Sequence, residues 1–161
     1  MQKVVIIGGG LSGLSAAHEL TKLGIHPILI EVKPTLGGSI RSVRKNGFVF
    51  DSGPMMYPAH DAYFLGDWLN TLGMAEETMF EGDVRHRSVI FKHGAGTLIN
   101  ALTTNIDATY MHRMAVSTIG QLDERHFVIC MENGMVLEAQ AIIVAAPARH
   151  AERIFHTLVP E

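Results

Sequence analysis

The sequence predicts an α/β domain: a small parallel sheet with flanking helices, followed by a β-meander. Three observations carry this. First, the β-branched run Val4-Val5-Ile6-Ile7 leads into a glycine triplet and then into a helical pattern. Second, another apolar run, Ile28-Leu29-Ile30, follows that helix; continuous apolar runs suit parallel strands buried on both faces. Third, the last third of the chain alternates short strand-like runs with turn residues. The 161 residues, 47% apolar and 18% charged, suit one globular domain spanning 1–161. A chain of that length buries roughly 70% of its unfolded surface.

Taken in order, Val4–Ile7 is the first strand and Gly8-Gly9-Gly10 ends it. From Leu11 to Leu23, Gly13, Ala17, Leu20 and Leu23 recur on one helix face, and Gly24 stops the helix. Ile28–Ile30 is the second strand, ending at Glu31, and the three elements form a βαβ unit. Pro34 to Gly38 is a loop, Phe48-Val49-Phe50 a short strand, and about Asp61 to Leu72 a helix closed by Gly73. Residues 82–88 form a polar connector, and Ser88–Phe91 a short strand. Gly94-Ala95-Gly96-Thr97 opens a helix with Leu98, Ile99 and Leu102 on one side. Strands follow near Thr109–His112, Ala115–Ile119, His126–Met131 and Met135–Ala139, the last two joined at Asn133-Gly134, a strong hairpin signal. Ala141–Val144 is a final buried strand, and a short helix runs to about Leu158. The parallel sheet is expected from 4–7, 28–31, about 109–112 and 141–145, with the meander covering one side.

Composition narrows the function. A net charge of −3 without a dense basic block argues against nucleic acid as a partner. No apolar run approaches the ~18 residues of a membrane span, and no signal-peptide pattern precedes the glycines. A single cysteine, Cys130, allows no internal disulfide and fits a reducing cytoplasmic setting. Nine histidines include no i, i+4 pair on a helix, so no metal site is expected. His18 is expected on the solvent side of its helix. Cys130 reads as a small core residue, and Ser12 and Ser52 lack the setting of a hydrolase nucleophile.

Gly8-x-Gly10-x-x-Gly13 is a Rossmann-like dinucleotide fingerprint in its proper setting, between a strand and a helix. Gly8 allows the tight turn. Gly10, lacking a Cβ, lets a pyrophosphate approach the backbone. Gly13 brings the helix close to the sheet. The helix start at Leu11 and Ser12 offers N–H donors and a partial positive charge. Glu31, 18 positions beyond Gly13, can accept hydrogen bonds from ribose hydroxyls and would repel a 2′-phosphate.

Glu31-x5-Gly37-Gly38-x2-Arg41 resembles the FAD-binding signature of the flavin amine oxidase superfamily, the group of protoporphyrinogen oxidase, phytoene desaturase and monoamine oxidase. Phe50-Asp51-Ser52-Gly53-Pro54 resembles that family's segment near the flavin ring. The stretch Phe91–Leu102 resembles a glycine-led helix start, and Ile142–Pro147 a strand and turn of the same family. The resemblance implies FAD as cofactor. By it, Gly8, Gly10, Leu11, Ser12 and Gly13 would meet the pyrophosphate, and Glu31 with Lys33 the adenosine ribose. Gly37, Gly38 and Arg41 would line the diphosphate and ribityl path. Gly53 and Pro54 would lie near the isoalloxazine, Val116 would meet the adenine, and Ala145 would complete the set. An arginine beside a diphosphate gives charge-assisted hydrogen bonds.

The implied function is an FAD-binding domain of an oxidoreductase, with hydride passing from a small-molecule substrate to flavin N5 and O2 or another acceptor reoxidising the flavin. Two other readings stand beside it: a non-catalytic dinucleotide-binding or assembly module, and an NAD-binding domain. Family members run two to three times this length, with a substrate domain inserted where this chain has about sixteen residues, 75–90. Most of that domain and the carboxyl-terminal FAD motif are therefore expected to be missing, leaving the flavin half of the site incomplete. No catalytic residue is assigned. Met55, Met56, Tyr57, Phe64 and Phe80 are expected to be partly exposed, and a homo-oligomer is the expected way to cover them.

Overall fold

The computed structural model describes residues 3–58, 68–81 and 88–156. The elements begin with β1 (Val4–Ile7), α1 (Leu11–Lys22), β2 (Ile28–Glu31), β3 (Ser42–Lys45), β4 (Phe48–Asp51) and β5 (Tyr57–Pro58). A single helical turn, α2 (Leu69–Thr71), precedes β6 (Thr78–Glu81), β7 (Ser88–Phe91) and α3 (Gly96–Thr104). The chain ends with β8 (Thr109–His112), β9 (Val116–Asp123), β10 (His126–Met131), β11 (Val136–Ala139), β12 (Ala141–Val144) and α4 (Ala148–Phe155). Contacts divide it into two compact units, one of residues 1–38 and 106–161, the other of 39–105.

The first unit holds the expected parallel sheet, in the order β12-β1-β2-β8. Ile6 pairs with Ile143 on one side and Leu29 on the other, and Glu31 pairs with His112. Val5, Ile6, Leu29 and Ile30 are buried, as two-sided strands require. The antiparallel meander β11-β10-β9 covers one face: Ile119, Ile129, Met131 and Ala139 pack with Val5, Ile7, Ile30 and Ile154 of α4. At the amino-terminal edge of the sheet His26 ties two loops together, with Asp107 2.9 Å from Nδ1 and Thr109 3.0 Å from Nε2.

His18 is a correction. It is 3% exposed and not on the solvent side. The buried face of α1 is Gly13, Leu14, Ala17 and His18, because the smallest residues set the line of closest approach and Leu14 and His18 flank it. Its Nδ1 lies 3.3 Å from Glu19 Oε1. Cys130 is half-buried on β10, less enclosed than a core residue. β9 runs on to Asp123, beyond the end expected near Ile119. The turn falls at Glu124-Arg125, where Asp123 Oδ1 accepts the Arg125 N–H at 2.9 Å.

The second unit contains two small antiparallel sheets, β3-β4 and β5-β7-β6, and helix α3. β3 pairs with the expected strand at Phe48, and Asn46-Gly47 turns them with φ of 52° and 81°. Two successive positive φ values are the signature of a tight hairpin turn, and Asn-Gly is the pair that adopts it most readily. β6 and β7 pair in register from Thr78↔Phe91 to Glu81↔Ser88, so paired strands flank connector residues 82–87. Of the helix expected over 61–72, residues 61–67 lie outside the described residues, as do Phe64 and connector residues 82–87. Gly73 closes the described part, its N–H donating to Asn70 O.

Candidate functional site

The first unit gathers most of the expected site residues at the carboxyl ends of β1 and β2. The turn out of β1 is tight: Gly8 has φ +110°, and a Cβ on it would lie 2.6 Å from the Ala145 carbonyl oxygen. A Cβ on Gly13 would lie 1.8 Å from the Gly8 carbonyl oxygen. Gly8, Gly13 and Ala145 therefore form one close contact of turn, helix and strand. Gly10 is different. Its backbone is extended, with φ −77° and ψ −176°, and among the described residues a Cβ there would meet only Gly38 Cα, at 3.9 Å. The space in front of Gly10 is open.

Gly10 is also the N-cap of α1, it has no side chain of its own to cap that end, and the first turn holds no acid. The N–H groups of Leu11 and Ser12 begin the helix, and among the described residues no side chain accepts them. The α3 helix of the second unit makes the contrast. Asp51 there accepts the Ala95 N–H with both carboxylate oxygens, each at 3.0 Å. Ser42 Oγ donates to Asp51 Oδ1 and accepts the Gly96 N–H at 2.7 Å. One helix start is filled by a carboxylate from its own unit. At the other, among the described residues, no side chain reaches the first N–H groups.

The loop after β2 closes the cradle. Glu31 is 6% exposed. Its Oε2 accepts the Gly9 N–H at 2.7 Å, and its Oε1 the Lys33 N–H at 2.8 Å. Lys33 Nζ donates to Gly38 O at 3.2 Å, and the Gly37 N–H donates to Gly9 O at 2.7 Å. The spacing pattern treats Gly9 as a free position, but a Cβ there would lie 2.6 Å from Leu36 Cδ2 and 3.0 Å from Glu31 Oε2. The unbroken triplet Gly8-Gly9-Gly10 is the signal that could have found it. Val116 opens β9 opposite Met131, half-buried beside the apolar cluster under the meander.

Arg41, Gly53 and Pro54 belong to the second unit. Arg41 is exposed, and its carbonyl accepts the Ser52 N–H at 2.9 Å. A Cβ on Gly53 would lie 1.9 Å from Ser39 O. Pro54 O accepts the Tyr57 hydroxyl at 3.0 Å. Tyr57 is buried, against expectation, packed edge-to-face on Phe91 with centroids 5.5 Å apart. Met55 and Met56 are 50% and 49% exposed, as expected.

Burial, with Asp51 adding repulsion, pushes the Tyr57 hydroxyl up to about 12 from 10.0. Between those values the folded protein keeps a proton that the unfolded chain has released. Stability should therefore fall as pH rises from about 10 to about 12, and Tyr57→Phe should flatten that part of the curve. Denaturant unfolding across this range, with tyrosinate absorbance, tests it; equal slopes for both proteins would remove Tyr57 as the cause.

Residues 58–161, more than half of the chain, match the family described as flavin containing amine oxidoreductase. The chain belongs to that family. Residues 6–71 match an NAD(P)-binding Rossmann-like domain, in keeping with the sheet and glycine turn. Protoporphyrinogen oxidase 2 of Arabidopsis thaliana is 30% identical over 89 residues, covering 55% of this chain and 17% of that protein. The flavin-containing monoamine oxidase A of Dictyostelium discoideum is 26% identical over 121 residues, covering 75% and 26%. This chain thus spans about a quarter or less of these two relatives. A candidate protoporphyrinogen oxidase of known structure from Exiguobacterium sp. 255-15 superposes with a TM-score of 0.83 at 12% identity, over 96% of this chain and 61% of that one. That likeness is one of fold. As the resemblance in the sequence implied, the cofactor of this flavin family is FAD. Among the described residues no helix is long and apolar enough to cross a membrane, and no group of three acidic, histidine or cysteine side chains could hold a metal.

Proposed function

We propose that this chain holds the adenosine and diphosphate part of FAD in service of a flavin-dependent oxidation of a small molecule. The supporting observation is the face of Gly10, open among the described residues, before the first N–H groups of α1 and beside the buried Glu31 carboxylate on the Gly9 N–H. Diphosphate oxygens placed there accept from the first N–H groups of α1 and feel its positive end. Glu31 keeps a second lone pair on each oxygen for the ribose hydroxyls. The Lys33 ammonium stands at the rim. Val116 and Ala145 are proposed around the adenine and diphosphate, and Arg41, Gly53 and Pro54 as ligand contacts from the family resemblance. When bound, FAD supplies the two-electron acceptor, taking substrate hydride at N5 and returning the electrons to O2 or another acceptor. The chain's own part is to bind and orient. A cytoplasmic setting and a homo-oligomer covering Met55 and Met56 belong to the same proposal, and a monomer in light scattering would remove the latter.

Purified protein, or protein reconstituted with FAD and desalted, should carry flavin absorbance, with free FAD after denaturation. A bound nicotinamide nucleotide without flavin would favour the NAD reading. No retained nucleotide and no binding on titration would favour an assembly module.

A further inference from the structure

We infer that Glu31 is a positioning residue that builds the glycine turn before any nucleotide arrives, in addition to the ribose contact proposed above, on which only the ligand-binding half of this inference rests. Each carboxylate oxygen is already committed to a main-chain donor: Oε2 to Gly9 at 2.7 Å and Oε1 to Lys33 at 2.8 Å. These donors come from different segments, the turn after β1 and the loop after β2. One buried side chain therefore ties the two lips of the cradle together. Its own backbone is held as well, since Glu31 O accepts the Met114 N–H at 3.1 Å.

Gly9 completes the joint. Its N–H goes to Glu31, and its carbonyl accepts the Gly37 N–H at 2.7 Å. A methyl group on it would press on Leu36 and on Glu31 Oε2. The absence of a side chain at Gly9 is thus what lets the carboxylate reach the turn. Without the carboxylate, the Gly9 and Lys33 N–H groups lose their acceptor, and the Gly37 N–H to Gly9 O bond is left to hold the loop against the turn.

A carboxylate is needed for this, not merely a polar side chain of the same length. Glutamine carries one acceptor oxygen and one NH2 group, which only donates. Whichever way its amide is turned, one of the two main-chain N–H groups would face another donor. Glu31→Gln is therefore a disruptive change, although it keeps the shape.

The test uses a ligand without the ribose hydroxyls. In a ribose-only role, the step from ADP to 2′,3′-dideoxy-ADP and the substitution Glu31→Gln remove the same contact. The variant would then bind dideoxy-ADP as well as the unaltered protein does. In a positioning role, Glu31→Gln should still weaken dideoxy-ADP about tenfold or more. Gly9→Ala, with the glutamate intact, should weaken ADP and dideoxy-ADP by similar factors. Amide exchange on the unaltered, ligand-free chain reads the same point without a nucleotide and without a variant that must fold. The Gly9 and Lys33 amides should exchange at least about tenfold more slowly than those of Leu11 and Ser12. Equal dideoxy-ADP affinity in the variant, or fast exchange at Gly9 and Lys33, would overturn the inference. If no nucleotide binds at all while those amides are protected, the positioning role stands and the dinucleotide reading falls.

Discussion

Gly10→Val should leave a folded protein that no longer binds FAD or ADP. The backbone at Gly10 is extended and open to any residue, and among the described residues a Cβ there meets nothing nearer than Gly38 Cα at 3.9 Å. The substitution therefore costs the fold little, within the ~0.5 kcal/mol usual for a tolerant site. The valine methyl groups would instead fill the space in front of the first N–H groups of α1. A diphosphate that depends on close approach to that backbone would lose its seat, with affinity falling by about a hundredfold or more, equivalent to ~2.7 kcal/mol. Calorimetry and thermal unfolding on one preparation separate the two effects. Retained FAD affinity would show that the phosphates do not sit against Gly10.

Gly13→Ala should do the opposite and act on the fold itself. Its Cβ would lie 1.8 Å from the Gly8 carbonyl oxygen and 3.0 Å from the Gly8 carbonyl carbon. Those are backbone atoms, so no side-chain rotation relieves the clash; the helix must lift off the turn or the turn must open. Overpacking in a tight core costs ~1–3 kcal/mol, and this contact belongs at the upper end. The gain in helix propensity from glycine to alanine, ~1 kcal/mol, offsets only part of it. With ~2–4 °C lost per kcal/mol in chains of this size, the unfolding midpoint should drop by roughly 4–8 °C. Nucleotide affinity should fall too, because Gly8 carries the turn. An unchanged or raised midpoint would mean that the helix and turn are less closely packed in solution.

The sequence made the first unit legible because its signals are local and mutually consistent. Val4–Ile7, the glycine triplet, the helical stripe and Ile28–Glu31 each constrain the next, and the apolar run at 141–144 was readable as a further strand of the same sheet, as was 109–112, while the strand order came from the structure. The second unit was harder. Ser42–Lys45 reads Ser-Val-Arg-Lys, with no apolar alternation, and becomes a strand because Asn46-Gly47 folds it onto Phe48–Asp51. Thr78–Glu81 is a strand only by virtue of its partner β7. The site divides in the same way. Gly8, Gly10, Gly13 and Glu31 were readable from spacing, whereas Gly9 and the Asp51–Ser42 cap on α3 depend on contacts between residues distant in the chain. His18 was misplaced because the helix face nearest the sheet is set by its small residues and not by its leucines.

The most direct test of a cradle built for an adenosine diphosphate is titration calorimetry with FAD, ADP and FMN against the same protein. FAD and ADP should bind with similar affinity, since the ordered contacts around Gly10 and Glu31 serve the part they share, and FMN should bind hardly at all. FMN binding as tightly as FAD, or FAD binding without measurable affinity for ADP, would contradict this account.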